Sequence, residues 1–309
     1  MSTSSQSLNP PPHPAPWHQA LKSHLTTLPS SPEFVLSTLS HNTPSPNPPP
    51  TPIPQLQPRA RYCIFRGFWC EDIELHPSTQ ASLEEGKDAL NPVPGVYESE
   101  MLTFTTDVRM GKVGELSYGY GSGSGSGGND NGNDGGGGGY VEAVFWVKEV
   151  MSQWRVRGRA YVLGAEEGEG EERARRGVRG WMRRRGGGGG GEEDGEREEE
   201  WSWEREVTAH FANLSPVTRG SFKNPPPGTP KPKTPSSSEE PTTQLGQKVH
   251  DLHDPIARKN FRVVVILPEV VEWVDMKTPE EARRLRWTLT PSSDGDGGQA
   301  RWEEVELWP

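Results

Sequence analysis

Three short stretches of the chain place cations, hydroxyls and an amide at the ends of apolar strands. The residues concerned are Arg61 and Arg66 in "RARYCIFRG", Thr105, Thr106, Arg109 and Lys112 in "FTTDVRMGK", and Gln153, Arg155 and Arg157 in "QWRVRG". Guanidinium and ammonium groups complement a phosphate dianion, and hydroxyl or amide groups add neutral donors around it. The three stretches together therefore predict an anion site.

A simpler interpretation is that these residues form the solvated faces and ends of amphipathic strands. The spacing of Arg61 and Arg66 puts them on opposite faces of a regular strand, so both reach one ligand only if the strand bends near Gly67 or ends there. Gln153, Arg155 and Arg157 are two residues apart and share one face. Judged from these residues alone, both interpretations remain open.

The composition is biased, but the bias is confined to a few blocks. Gly and Pro contribute 36 and 31 of 309 residues, and only 30% of the chain is hydrophobic. The Pro-, Gly- or charge-rich blocks are residues 1–14, 41–58, 120–139, 165–200 and 224–243. Such blocks bury too little apolar surface to offset the entropy of ordering them. We expect a tail over 1–14 and a single domain over 15–309 that carries the other four blocks as insertions.

Charge, cysteines and hydropathy exclude several classes of protein. A net charge of -10 argues against a nucleic-acid binder, and the arginine-rich run at 172–185 lies within an acidic block. Cys63 and Cys70 are the only two cysteines, too few for a zinc site, so no metal is predicted and Cys63 is expected to be a buried thiol. The chain has no signal-like N-terminus and no run of about 18 apolar residues, so we expect a cytoplasmic protein without a membrane partner.

Apolar periodicity predicts few helices and many strands. One helix is expected within "APWHQALKSHLTTL" and another over 203–214. Strands are expected at 60–68, 101–106, 140–148, 154–163, 261–267, 269–275, 284–289 and 301–308. Loops rather than helices join most successive strands, which favours a mainly β fold in which an antiparallel sheet curls into a barrel with peripheral helices.

The order of these motifs resembles a known family. The segments "RARYCIFRGF", "LTFTTDVRMGK", "AVFWVKEVMSQWRVRGRA", "HFANLSPVTRGSFKNPPPG" and "VELWP" are similar to the FMN-binding split barrels related to pyridoxamine 5'-phosphate oxidase, and most closely to the Alr4036-type branch. The resemblance covers nearly all segments expected to be ordered. It implies a split β-barrel, FMN as cofactor, and a homodimer with the flavin at its interface.

The resemblance also assigns roles by position. Arg61 would line the flavin site, Thr105 and Thr106 would border the flavin, and Lys112 would bind its phosphate, with Arg109 in the same turn. Gln153, followed by Arg155, would contact the cofactor across the dimer interface. Arg219 and Ser221 would belong to a further polar contact loop. Arg66 would take the place of a cation that faces the substrate phosphate in the oxidases.

Two departures from the family pattern bear on function. Met110 stands where related sequences tend to have a serine, and the Arg-x-x-Pro segment that helps to bind the pyridoxine substrate is not recognisable near the C-terminus. The substrate is therefore not carried over. Trp287 and Trp302 both remain candidates for the tryptophan that stacks near the flavin. The leading interpretation is a flavin-dependent oxidoreductase. The alternatives are a non-catalytic flavin carrier, favoured by the missing segment, and a scaffold without flavin.

Overall fold

The computed structural model describes residues 11, 13–26, 33–41, 56–71, 73–79, 90–93, 95–116, 138–164, 168–185, 201–231, 245–291 and 299–309. Its strands are β1 Glu33–His41, β2 Leu56–Phe68, β3 Tyr97–Glu98, β4 Leu102–Asp107, β5 Gly139–Val147, β6 Ser152–Leu163, β7 Arg183–Arg184, β8 Phe261–Asp275, β9 Arg283–Pro291 and β10 Ala300–Leu307. Its helices are α1 His18–Thr26, α2 Gly111–Leu116, α3 Glu169–Arg179, α4 Trp203–Ala212, α5 Pro216–Ser221 and α6 Pro255–Asn260.

Eight of the strands form one antiparallel sheet that closes on itself. The strand order is β10-β9-β8-β4-β2-β1-β5-β6, and an additional pairing of β6 with β8 closes a six-stranded barrel. The long strand β8 makes the closure possible because its first half pairs with β4 and β6, while its second half pairs with β6 and β9. This is the split-barrel architecture that the sequence predicted. The hairpin β9–β10 continues the sheet beyond the barrel.

Two apolar clusters hold the fold together. The first fills the barrel with alternate residues of the strands, such as Phe34, Phe65 and Phe145. Helix α1 closes it with Leu21 and Leu25, next to Trp17, which precedes the helix. The second cluster lies outside the barrel, where the opposite face of β8 packs against α3, α4 and α6. Strand β8 contributes buried residues to both clusters. Its segment from Val263 to Leu267 is therefore apolar on both faces.

The predicted strands and both predicted helices are present, with shifts at their ends. The segments 261–267 and 269–275 form one continuous strand, so the expected break at Pro268 was wrong. Pro268 lies opposite Gly158 at a shift of register between β6 and β8, where a missing N–H is tolerated. A Cβ on Gly158 would lie 1.9 Å from the Leu267 carbonyl oxygen, so the two backbones approach closely only because residue 158 is glycine.

The structure corrects the expectation that the block 165–200 is unstructured. Residues 169–179 form helix α3, in which Ala174 and Val178, four residues apart, enter the second apolar cluster. These two residues provide a narrow apolar stripe that the surrounding charges and glycines conceal in the composition. The Pro-rich block 41–58 was also drawn too long, since β2 begins at Leu56. Most of the expected tail and insertions, including 42–55, 117–137, 186–200 and 232–243, lie outside the described residues.

Candidate functional site

A charged cluster lies where β1 and β2 meet helix α2. Arg61 on β2 donates from Nη2 to Oε2 of Glu115 at 2.6 Å and from Nη1 to the hydroxyl of Thr38 on β1. The Thr38 hydroxyl in turn donates to Oε2 of the same Glu115. Lys112, one helical turn before Glu115, completes the group. We call Thr38, Arg61, Lys112 and Glu115 the β2–α2 cluster.

Lys112 is the half-buried cation of this cluster that lacks a close partner. Its ammonium makes no hydrogen bond or ion pair with any residue that the structure describes. Burial lowers the pKa of Lys112; the thiol of Cys63 and the more distant Glu115 and Asp107 oppose that shift, while Arg61 adds to it. An ammonium held out of water without a counter-ion is expensive, so a dianion bound beside it would be stabilising.

Cys63 lies close enough to Lys112 for the two side chains to interact electrostatically. It is a free, buried thiol, as predicted, two residues after Arg61 on the same face of β2. Burial raises the pKa of Cys63, and the charges of Lys112 and Arg61 oppose the shift. The thiol is therefore neutral and leaves the positive charge of the cluster intact.

The turn between β4 and α2 is built by Asp107. Its Oδ1 accepts a hydrogen bond from the Arg109 backbone N–H at 2.8 Å, and its carboxylate also binds the Arg109 side chain through Nε and Nη2. Arg109 further donates to the carbonyl oxygens of Phe222 and Asn224. The hydrogen bond and charge of Asp107 raise the pKa of Arg109. Of the two cations predicted in this turn, Arg109 joins the turn to the 222–224 loop, and Lys112 stays available.

Thr105 and Thr106 occupy the last part of β4, immediately before this turn. Thr106 is buried and its hydroxyl lies 3.6 Å from the sulfur of Met110, the residue that replaces the expected serine. Thr105 is partly exposed and pairs in register with Val263 of β8. The two threonines therefore point to opposite faces of β4.

Arg66 lies within an irregularity of β2. The register between β2 and β4 shifts between Phe65 and Phe68, and the next residue, Gly67, has a φ of 107°, at the position where a bend was the condition for Arg61 and Arg66 to reach one ligand. Arg66 donates from Nη1 to Asn213 at 3.2 Å, while its buried Nε has no acceptor in the described part of the chain. Burial lowers the pKa of Arg66. This guanidinium is paired with no carboxylate there.

Gln153 and Arg155 do not join the β2–α2 cluster within one subunit. Register pairs Arg155 with Val144, Val144 with Val35, and Val35 with Tyr62, so these residues share the outer face of the sheet. Arg61 instead aligns with Leu36 and Ala143, whose side chains are buried within the barrel. With its amide oxygen turned toward Arg155, Gln153 accepts a hydrogen bond from Nε at 3.1 Å.

Arg219 and Ser221 lie on helix α5, immediately before the 222–224 loop to which Arg109 is hydrogen-bonded. Arg219 is fully buried and donates to the His250 carbonyl oxygen and the Ser78 hydroxyl, both at 3.3 Å. Burial lowers its pKa. Ser221 donates to the Thr218 carbonyl oxygen within its own helix. Both residues therefore have hydrogen-bond partners of their own, and neither is hydrogen-bonded to Arg61 in the described part of the chain.

The donor set of the β2–α2 cluster fits a phosphate monoester. Arg61 and Lys112 supply charged donors, and Arg59, on the same strand, lies 4.0 Å from Glu115 through its Nε. Together the three cations and the single carboxylate leave a net positive charge of about two, which matches a phosphate dianion. The sequence did not reveal Thr38 or Glu115, although the spacing of Lys112 and Glu115 would have placed them on one face of a helix.

Other kinds of site find less support in the part of the chain that the structure describes. There, no group of three or more His, Cys, Asp or Glu side chains is arranged to hold a metal ion. Nor does any helix among those residues combine the length and apolar character required to span a bilayer.

Comparison with known proteins agrees with this chemistry. Residues 14–164 match the family described as pyridoxamine 5'-phosphate oxidase, FMN-binding domain. A search of curated proteins gave no match. Among solved structures, a pyridoxamine 5'-phosphate oxidase-related, FMN binding protein from Nostoc punctiforme is similar at 15% identity and a TM-score of 0.48, covering 96% of this chain and 100% of its own.

A second solved structure is PhzG from Burkholderia lata in complex with tetrahydrophenazine-1-carboxylic acid. It is 11% identical with a TM-score of 0.41, and the match covers 94% of this chain and 89% of that one. Both TM-scores lie below 0.5, so the relation to this family rests on the family match over residues 14–164. The matched segment begins shortly before α1 and ends just after β6.

Proposed function

Because residues 14–164 form an FMN-binding domain of the pyridoxamine 5'-phosphate oxidase family, we propose that the β2–α2 cluster holds the FMN phosphate and that the protein is a flavin-dependent oxidoreductase. The observation that carries this proposal is the half-buried ammonium of Lys112, which has no hydrogen-bond or ion-pair partner among the described residues, near the fixed guanidinium of Arg61. A cation that burial has already stripped of water gains more from a phosphate than a solvated one does.

Each part of the site then has a physical task. FMN, when bound, would supply the redox chemistry of hydride acceptance. Lys112 and Arg61 hold the phosphate, and Thr105 borders the flavin from the end of β4. Asp107 and Arg109 fix the turn that carries Lys112 to its place. No described side chain is required as a general base.

The outer face of the sheet supports a homodimer. This face, formed by Val35, Tyr62, Ile64, Val144 and Trp146, is an apolar surface in which Tyr62 is 76% exposed and Trp146 is 46% exposed. Apolar patches of this kind on a sheet mark interaction surfaces. Gln153, paired in register with Trp146, lies on the same face. Two copies joined through this face would bring Gln153 of one subunit toward the flavin of the other.

Replacing Trp146 with Glu is expected to convert the dimer into monomers and to weaken FMN binding with it. A carboxylate buried at the centre of an apolar interface is strongly unfavourable, since it loses hydration without gaining a partner. Sedimentation velocity would measure the mass, and Leu245→Glu, at an exposed apolar position off the sheet, is the matched control. A wild-type protein that is monomeric while saturated with FMN would contradict the interface.

Arg66 indicates a substrate that carries an acidic group. Its guanidinium is half buried, faces no carboxylate within the described chain and keeps an unpaired Nε–H, so an anionic substrate group would satisfy it. Arg66→Ala is expected to reduce discrimination between phosphorylated and unphosphorylated amine donors by about 10-fold or more. The rate at which each donor bleaches the flavin absorbance under anaerobic conditions measures this discrimination. Equal discrimination in wild type and variant would remove Arg66 from the substrate site.

The same assay separates the proposal from its alternative. The lack of the Arg-x-x-Pro segment favours a non-catalytic flavin carrier. Such a carrier would bind FMN tightly, but none of the phosphorylated or unphosphorylated amine donors would reduce the flavin. Reduction by at least one donor, followed by reoxidation in air, supports the oxidoreductase. A protein that binds FMN but is reduced by none of the donors supports the carrier instead.

A further inference from the structure

The guanidinium of Arg61 is fixed before any ligand arrives. Thr38 and Glu115 bind its two terminal nitrogens, and they are also joined to each other by a hydrogen bond, so the three side chains form a closed ring. Both anchors are shielded from solvent, with Thr38 at 4% and the Glu115 side chain at 10% exposure. Because they come from β1 and α2, the ring depends on the fold rather than on a local turn.

The ring leaves most of the hydrogen-bonding capacity of Arg61 unused. A guanidinium carries five N–H donors in a rigid fork. Only one on each terminal nitrogen has an acceptor within the described chain, and Nε has none. An arginine that is already held in one rotamer loses less conformational entropy when it binds an anion than a free one does.

Glu115 also sets the charge of the site. Its carboxylate lies 2.6 Å from Nη2 of Arg61 and 4.0 Å from Nε of Arg59, and it attracts the more distant Lys112. Without it, the three cations would repel one another, and Arg61 would lose the carboxylate that anchors it in the described structure. With it, the net charge of about plus two still matches a phosphate dianion.

We propose that Glu115, acting with Thr38, is a positioning residue that preorganises Arg61 for the phosphate of FMN. This inference rests on the proposed function. The alternative is that the carboxylate competes with the phosphate for Arg61, and it predicts the opposite change in affinity when Glu115 is removed.

The test compares FMN with riboflavin, which has the same ring system but no phosphate. Affinities for both are measured by quenching of flavin fluorescence with wild type, Glu115→Ala, Thr38→Val and the control Glu280→Ala, an exposed carboxylate in the turn before β9. Both cluster variants are expected to weaken FMN binding by roughly tenfold and to leave riboflavin binding unchanged. The control should alter neither affinity.

A double-mutant cycle shows whether Glu115 acts through Arg61. In an Arg61→Ala background, Glu115→Ala is expected to cause no further loss of FMN affinity, because there is no guanidinium left to position. An equal loss in both backgrounds would overturn the inference. Retained riboflavin binding is the evidence that each variant is folded. If Glu115→Ala does not bind riboflavin, the FMN affinity of Thr38→Val is used instead to test the positioning role.

The possible results distinguish a failure of the positioning role of Glu115 from a failure of the FMN site itself. FMN binding by wild type, with unchanged or tighter binding by Glu115→Ala and Thr38→Val, overturns the positioning role and leaves the FMN site standing. Failure of wild type to bind either FMN or riboflavin overturns both.

Discussion

Replacing Lys112 with Ala is expected to weaken FMN binding by about 10- to 100-fold while leaving riboflavin binding unchanged. The ammonium is half buried and lacks a close counter-ion in the described structure, so the bound phosphate would be its main partner. Lys112→Arg keeps the charge and should retain most of the affinity. Lys248→Ala removes a charge from an exposed loop and is the matched control. Equal losses for FMN and riboflavin would place Lys112 outside the phosphate site.

The pH dependence of FMN affinity gives a second test of Lys112. Burial lowers its pKa below the usual value of about 10.4. A phosphate dianion favours the charged ammonium, so affinity should fall as the pH rises through the lowered pKa of the free protein, earlier than for an ordinary lysine. Lys112→Arg should abolish this alkaline decline, because guanidinium does not titrate there. An identical decline in wild type and Lys112→Arg would assign the effect to another group.

His210→Phe is expected to make the protein markedly more resistant to acid. His210 on α4 is fully buried and stacks on Trp69 with ring centroids 5.6 Å apart, and neither ring nitrogen has a hydrogen-bond partner among the described residues. Burial, with a smaller contribution from the charge of Arg66, lowers its pKa to about 3. Glu206 is 4.0 Å away and does not reverse that shift.

The sign of the effect follows from proton binding. Between the folded pKa of about 3 and the ordinary 6.5, the unfolded chain binds a proton at His210 that the folded chain does not. Wild type should therefore lose stability as the pH falls through this range, by about 2 kcal/mol at pH 5 and up to roughly 5 kcal/mol near pH 3. Phe cannot titrate, fills a similar space, and leaves no unpaired ring nitrogen.

Urea unfolding at pH 7.5 and pH 5 measures the difference. The stability lost between the two pH values should be about 2 kcal/mol smaller in His210→Phe than in wild type. His250→Phe, at an exposed position, should behave like wild type. Parallel losses in wild type and His210→Phe would show that His210 is not the titrating group.

Residue patterns predicted the fold where strands are regular. The apolar patterns of β5, β6 and β8 predicted strands, and the loops that join most successive strands favoured an antiparallel barrel. Strand β1 was missed because Ser37, Thr38 and Ser40 dilute its apolar signal, although Phe34 and Leu36 alternate into the barrel. Helix α3 was missed because two buried residues cannot outweigh a charged and glycine-rich composition.

The sequence predicted an anion site, but it did not predict which residues bind the cations of that site. The sequence shows Arg109 and Lys112 as equivalent cations in one turn. Only the structure reveals that Asp107 binds Arg109, while Lys112 has no partner among the described residues. The sequence could not reveal Glu115 or Thr38 beside Arg61, because their meeting depends on the pairing of β1 with β2 and on the position of α2. Nor could it separate the faces that carry Arg61 and Gln153, which depend on register.

The most direct measurement is the visible absorbance spectrum of the purified protein after incubation with FMN and removal of excess, with the flavin quantified after denaturation. We expect a flavin spectrum with one FMN per chain in wild type, and a marked loss of FMN in Lys112→Ala under the same conditions. A colourless wild-type protein that retains no added FMN would contradict the central claim.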